Sequence, residues 1–78
     1  MKELIEFITL SLVDDPTQVE VTEIPGRSQV TIVLKVAKED MGRVIGKGGR
    51  VANAMRTLLR VAAAREGKKV VLEVMDPQ

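Results

Sequence analysis

A short glycine cluster with basic neighbours is the stretch of this 78-residue sequence whose residue types and spacing suggest chemistry. The cluster is Gly46, Lys47, Gly48 and Gly49, flanked by Arg43 and Arg50. Glycines let the chain turn through conformations that other residues avoid, and they let a ligand approach the backbone. Because a helix is predicted to begin directly after the cluster, unpaired N–H groups and a partial positive charge would face a bound anion. The pattern predicts a phosphate site, with Lys47 as an added cation.

The spacing of the glycines separates this cluster from two common phosphate-binding motifs. A Walker A loop has four residues between its first glycine and a Gly-Lys pair, whereas three residues separate Gly42 from Gly46 here. A dinucleotide fingerprint starting at Gly46 would need a strand before it and a third glycine where Val51 stands. The remaining match is a GxxG loop between two helices, which resembles the loop with which KH domains clamp the backbone of a single strand.

The elements that must position this loop follow from hydrophobic periodicity. Apolar residues at helical spacing predict helices over 2–13, 38–45 and 50–66, and alternating apolar residues predict strands over 18–24, 29–36 and 70–75. A turn signal at 25–28 makes the first two strands a hairpin, and Gly67 is suited to end the last helix. The order α-β-β-α-α-β predicts an α+β domain over 1–78, in which a three-stranded sheet is covered on one face by three helices.

Composition argues against most catalytic mechanisms, because the chain has neither Cys nor His. Asp14 and Asp15 precede Pro16 and predict a helix stop rather than a metal site. We therefore expect no catalytic residues, no metal and no cofactor. Residues 1–25 hold one basic and six acidic residues, whereas residues 26–50 hold six basic and two acidic residues, which indicates an anion-facing side. Neither a signal peptide nor a membrane span is expected, and this favours a cytoplasmic protein.

The segment Val44-Ile45-Gly46-Lys47-Gly48-Gly49-Arg50 resembles the core pattern of KH domains, and the element order resembles the type II KH fold. Two longer stretches, 12–16 and 41–50, resemble the small single-KH bacterial proteins of the KhpA (YlqC) family. This resemblance covers nearly the whole chain. It implies binding of single-stranded RNA without catalysis, by a low-specificity RNA chaperone or post-transcriptional regulator. It also implies either a homodimer or pairing with a KhpB (Jag-like) protein.

The same resemblance assigns roles to individual positions. Gly46 and Gly49 would hold the loop shape, and the N–H groups of Lys47 and Gly48 would face the phosphates. An apolar groove for the bases would be lined by Val44, Ile45, Val51 and Met55, with Ile32 or Leu34 as further candidates. Basic side chains at its edge would be Arg43, Arg50 and Arg27. Ala52 departs from the family pattern, which often has Ile at this position, and this predicts a shallower groove floor.

Several alternatives stay open at the level of sequence. Arg56 and Arg60 are interpreted as a solvated helix face rather than an RNA contact, and one of the pair Val44 and Ile45 is expected to be a core residue. The chain could instead be a protein-interaction subunit in which RNA contact is secondary. Its docking patch would then be formed by the outward-facing strand residues Val33, Val71 and Met75.

Overall fold

The computed structural model describes residues 1–75, apart from the side chain of Lys47, and confirms an α+β fold. The elements are α1 (Lys2–Leu12), β1 (Glu20–Pro25), β2 (Gln29–Lys35), α2 (Met41–Ile45), α3 (Arg50–Arg65) and β3 (Lys69–Met75). Short 3₁₀ turns occupy Pro16–Gln18, Lys38–Asp40 and Lys47–Gly49. The predicted order is therefore confirmed. The helix predicted over 38–45 begins as a 3₁₀ turn and becomes α-helical only at Met41.

The sheet has the order β1-β2-β3, with β2 in the centre. Strand β2 runs antiparallel to β1, as the predicted hairpin requires, and parallel to β3. Alternation along β2 points Val30, Ile32 and Leu34 into the core, and each is 2% exposed or less. The alternate residues of the strands point to the other, open face of the sheet. Most of them are polar, and a few are exposed apolar residues. One face of the sheet is therefore covered, as expected.

Helices α1 and α3 supply most of the cover. Ile5 and Thr9 are the buried residues of α1, while Ala52, Met55, Leu59 and Ala63 form the buried stripe of α3. Gly67 ends α3 with a positive φ of 68°, as the sequence predicted. The N–H of Gly67 donates to the Ala64 carbonyl at 3.1 Å, and the N–H of Lys68 donates to the Ala63 carbonyl at 3.0 Å. No helix within residues 1–75 has the length and apolar character needed to cross a membrane.

A buried carboxylate joins the segment after α1 to the start of α2. Asp40 is 2% exposed, and its two oxygens accept the backbone N–H groups of Asp14 at 3.0 Å and Asp15 at 3.1 Å. The Arg43 guanidinium contacts both ends of this link, with Nη2 at 2.8 Å from Asp14 Oδ2 and Nε at 3.7 Å from Asp40 Oδ1. Because a buried carboxylate needs such partners, this link holds the start of α2 against the segment that follows α1.

Replacing this carboxylate should destabilise the domain. We expect Asp40→Asn to lower the free energy of unfolding by about 2 kcal/mol, because its amide group turns a donor toward a buried backbone N–H. Urea denaturation followed by circular dichroism measures the change. The matched control is Glu39→Gln, which removes the same charge from the exposed neighbouring residue and should change stability by less than about 0.5 kcal/mol. Equal losses in the two variants would contradict the role given to Asp40.

Candidate nucleic-acid interface

The GxxG loop reverses the chain between α2 and α3 through positive-φ glycines. Gly46, Gly48 and Gly49 have φ values of 69°, 62° and 80°. The N–H of Gly46 donates to the Gly42 carbonyl at 2.9 Å and ends α2, and the N–H of Gly49 donates to the Gly46 carbonyl at 3.3 Å. Because three of the four loop residues occupy a region that side chains disfavour, the loop shape requires glycine.

The three positive-φ glycines differ in their surroundings. A Cβ on Gly46 would lie 2.6 Å from Val51 Cγ2, so the loop packs directly against the first turn of α3. A Cβ on Gly48 would meet nothing within 4 Å, which leaves this part of the loop open to a ligand. Gly49 is the N-cap of α3 and makes no side-chain cap hydrogen bond. No side chain therefore caps the start of α3, which lies beside the loop, where an anion would be stabilised by the helix dipole.

The apolar residues assigned to the groove lie at two depths. Ile45 is 39% exposed and Val51 is half-buried, so both present surface beside the loop. Val44 and Met55 are instead core residues, at 0% and 1% exposure, and support the groove from beneath rather than lining its surface. Val44 is thus the core member of the Val44–Ile45 pair.

Three further apolar positions from the sequence interpretation also belong to the core. Ile32 and Leu34 are fully buried beneath the helices, and Ala52 is 3% exposed. None of them offers surface to a base in this conformation. The departure from the family pattern at Ala52 therefore changes core packing, and it does not make an exposed groove floor shallower.

The arginines beside the loop differ in how much free charge they offer. Arg43 is 52% exposed, and its guanidinium pairs with Asp14 at 2.8 Å, which offsets its attraction for an external anion. Arg50, the first residue of α3, is exposed and has no carboxylate within 4.0 Å among the residues that the structure describes. Arg27 is exposed in the β1–β2 turn. The Lys47 side chain lies outside the described part of the structure.

Asn53, which the sequence interpretation did not consider, joins Arg56 and Arg60 in a row along one face of α3 that begins at the N-cap Gly49. We call these four residues the polar row. Asn53 Nδ2 lies 3.8 Å from the position that a Cβ on Gly49 would occupy, and Arg56 Nη1 donates to Asn53 Oδ1 at 3.1 Å. Arg56 Nη2 reaches the Leu72 carbonyl of strand β3 at 3.5 Å. The row therefore connects the loop to the edge of the sheet.

The two arginines of the row differ in exposure. Arg60 is exposed, as a solvated helix face requires, whereas Arg56 is half-buried and donates to Asn53 Oδ1 and to the Leu72 carbonyl. The spacing from Gly49 through Asn53 and Arg56 to Arg60 is four, three and four residues. This helical period was the available signal.

No group of three or more His, Cys, Asp or Glu side chains within residues 1–75 is placed to hold a metal ion. The loop, the start of α3 and the basic side chains beside them all suit an anion.

A GxxG loop joining two helices that pack on a three-stranded sheet, in the order αββααβ, defines a type II KH domain. The chain also matches the family model described as KhpA/KhpB, KH domain, over residues 2–74. The chain therefore belongs to the KhpA/KhpB family of KH domains.

Curated relatives agree with this assignment. The RNA-binding protein KhpA of Clostridium acetobutylicum is 52% identical over 75 residues, which is 96% of this chain and 100% of that protein. KhpA of Clostridium perfringens is 53% identical with the same coverage, and KhpA of Aquifex aeolicus is 43% identical over 97% of this chain and 96% of its own. No solved structure matches the chain.

Alanine substitutions should rank the glycines by their surroundings. Gly46→Ala should lower the free energy of unfolding by at least about 2 kcal/mol, because a positive-φ penalty and the clash with Val51 add. Gly48→Ala should lower the free energy of unfolding by about 1 kcal/mol, because only the positive φ opposes it. Gly42→Ala, in α2 with open space around it, should be neutral or stabilising by about 0.5 kcal/mol. Urea denaturation tests the ranking, and a Gly46→Ala loss no larger than that of Gly48→Ala would contradict it.

Proposed function

We propose that this chain binds single-stranded RNA without catalysis, as an RNA chaperone or post-transcriptional regulator of low sequence specificity acting in the cytoplasm. The observation that carries the proposal is the positive-φ glycine loop placed directly before the uncapped start of α3. The relatives' name, RNA-binding protein, supports the same ligand. The absence of Cys and His from the sequence supports a binding role rather than catalysis.

The phosphate backbone is the part of RNA that the loop is suited to hold. Gly48 has open space around it, so the peptide groups of Lys47 and Gly48 can be approached closely by a phosphate. The dipole of the sixteen-residue helix α3 adds partial positive charge at the same point. Arg50, the first residue of α3, adds a full positive charge. These contacts would give affinity and carry no sequence information.

Base contacts would come from the apolar surface beside the loop. Ile45 and Val51 present that surface, supported from beneath by Val44 and Met55. The chain has a single aromatic residue, Phe7, and it lies in the acidic first helix, so stacking on aromatic platforms does not contribute. Aliphatic contacts discriminate weakly between bases, which accounts for the low specificity proposed.

A double substitution in the loop should abolish RNA binding and preserve the fold. In Lys47→Asp/Gly48→Asp, two carboxylates would repel the phosphates, and Asp tolerates the positive φ of position 48 better than most residues. The control is Gly67→Asp/Lys68→Asp, which makes the same residue changes at the other end of α3. Gly67 has a φ of 68° and open space around it, as Gly48 does. Fluorescence anisotropy with a uridine octamer measures binding, and circular dichroism measures folding.

The control should keep binding, because its charges lie about 25 Å along the helix, well beyond the screening length of about 8 Å at physiological salt. For the parent protein, contact with two to four phosphates predicts a log-log salt slope between about −1.4 and −2.8. If the loop variant binds RNA as tightly as the control variant does, the assignment of RNA binding to the loop is wrong.

A second candidate function is pairing with another KH chain, either a copy of this one or a KhpB protein. Exposed apolar side chains on α3 favour it: Leu58 and Val61, about one helical turn apart, are 47% and 55% exposed. The strand patch considered from sequence is less suited, because exposed Glu73 separates Val71 from Met75 on the open face of the sheet. Neighbouring exposed apolar side chains are the stronger indication of a protein contact. We therefore propose the α3 surface as the pairing site.

Multi-angle light scattering of the purified chain tests this pairing. We expect a dimer, and we expect Leu58→Glu/Val61→Glu to be monomeric because the buried charges would lack partners. The comparison variant Val71→Glu/Met75→Glu places the same charges on the open face of the sheet and should remain dimeric. If the parent protein is a monomer, the proposal that the chain pairs with itself is wrong. If only the strand variant loses the dimer, the interface lies on the sheet and not on α3.

A further inference from the structure

We propose that the outward face of α1 binds a basic, amphipathic segment of a partner protein. The surface consists of Glu3, Glu6, Phe7 and Leu10, and we call it the α1 patch. The proposal goes beyond RNA binding, because the patch lies on another element than the glycine loop and carries the opposite charge.

Two large apolar side chains of the α1 patch face solvent. Ile5 and Thr9 point into the core and are fully buried, which leaves the far side of the helix uncovered. On that side Phe7 and Leu10, neighbours on the helix surface, are 72% and 49% exposed. Phe7 is the one aromatic residue of the chain, and within residues 1–75 it is the most exposed of the large apolar side chains. Packing inside the domain does not use this ring, whereas contact with a partner would bury its large apolar area.

Carboxylates lie beside these two side chains. Glu3 precedes Phe7 by four residues and Glu6 precedes Leu10 by four, so each acid neighbours one apolar side chain. Glu23 of β1 lies at the same end of the helix, where its Oε1 accepts a backbone N–H of the first turn at 3.2 Å.

The charge of Glu6 is not used within the domain. Acids at a helix start are stabilised by the dipole, but this effect is confined to the first turn, and Glu6 lies in the second. Glu3 contacts the N-terminal ammonium at 3.7 Å, whereas Glu6 has no basic group within 4.0 Å among the described residues. This carboxylate is therefore available to a cation on a partner.

Charge decides what covers the α1 patch. Residues 1–25 hold six acidic residues and one basic residue, so they repel RNA and anionic lipids. A second copy is also disfavoured: in an antiparallel pair of α1 helices centred on Phe7 and Leu10, Glu3 of each copy would lie against Asp14 of the other. In a parallel pair, like residues would face each other. A helix with Lys or Arg beside two apolar side chains one turn apart matches both the charge and the apolar surface.

The α1 patch leaves the glycine loop and the α3 surface free. Helix α1 packs against β1 and α2, whereas α3 packs against α2 and β3. Because β1 and β3 are the two edges of the sheet, the two long helices lie on opposite sides of the helical layer. A partner on α1 can therefore stay bound while the chain holds RNA, and the domain would join a basic protein to an RNA.

Binding of a model peptide tests the patch. The probe is a fluorescein-labelled helix of about four turns made of Lys, Leu and Ala, with its leucines on one face. We expect Phe7→Ala/Leu10→Ala to weaken its binding at least about tenfold, because truncation of two central anchors typically has this effect. The control Ile24→Ala/Met75→Ala removes side chains that are 52% and 45% exposed on the open face of the sheet. It should change binding less than about twofold.

Fluorescence anisotropy at fixed salt gives the affinities, and thermal melting confirms that each variant is folded. Equal affinity of the parent and the α1 variant for the peptide overturns the inference. Binding of a uridine octamer by the α1 variant should equal that of the parent, so failure of this inference leaves the proposed RNA binding standing.

Charge substitutions separate a defined site from general attraction between opposite charges. Glu3→Gln/Glu6→Gln should weaken peptide binding about fourfold, as expected for two exposed charge pairs. The control Glu66→Gln/Glu73→Gln removes the same charge at the end of α3 and on the open face of the sheet, and should change binding less than about twofold. Equal weakening by the two variants means general attraction and overturns the inference. So does equal binding of a peptide in which Glu replaces every Lys.

The parent protein's mass tests the other occupant of the patch. Multi-angle light scattering should give Phe7→Ala/Leu10→Ala the same mass as the parent. If the parent is a dimer and this variant is a monomer, a second copy covers the α1 patch and the inference of a basic partner is wrong.

Discussion

The close approach of Gly46 to Val51 is the constraint from which the geometry of the site follows. A side chain at position 46 would come within 2.6 Å of Val51 Cγ2, so the end of α2 and the start of α3 can be this near only with glycine between them. That proximity keeps the open Gly48 segment beside the start of α3. The anion site that we propose therefore depends on how tightly the two helices are joined.

The loop needs a fixed support as well as the right shape, and the Asp40 carboxylate provides it. By accepting the N–H groups of Asp14 and Asp15, it ties α2 to the segment that leads from α1 to the sheet. The helix that presents the loop is only five residues long and has little stability of its own. Arg43 completes this support by pairing with Asp14 at 2.8 Å.

Periodicity and turn chemistry were enough to predict the elements, their order and the covered face of the sheet, because local patterns dominate there. The glycine cluster was likewise identifiable, since few structures other than a tight loop need it. The burial of individual side chains was harder to predict. Val44 and Ile45 are adjacent and both aliphatic, yet one is fully buried and the other 39% exposed, and only the angle of α2 decides which. Helical spacing could place Arg56 on one face of α3 with Asn53 and Arg60, but it could not show the contact between Arg56 and the Leu72 carbonyl, sixteen residues away on β3.

The parallel pairing of β2 with β3 has a consequence for how the domain comes into being. Partner residues in these strands are forty positions apart, as Gln29 and Lys69 show, and both loop helices lie in the connection between them. A parallel pair cannot close through a tight turn, so the ladder forms only after the intervening segment has compacted. During synthesis β3 emerges after the loop. A nascent chain therefore carries the glycine loop for some time before β3 completes the sheet.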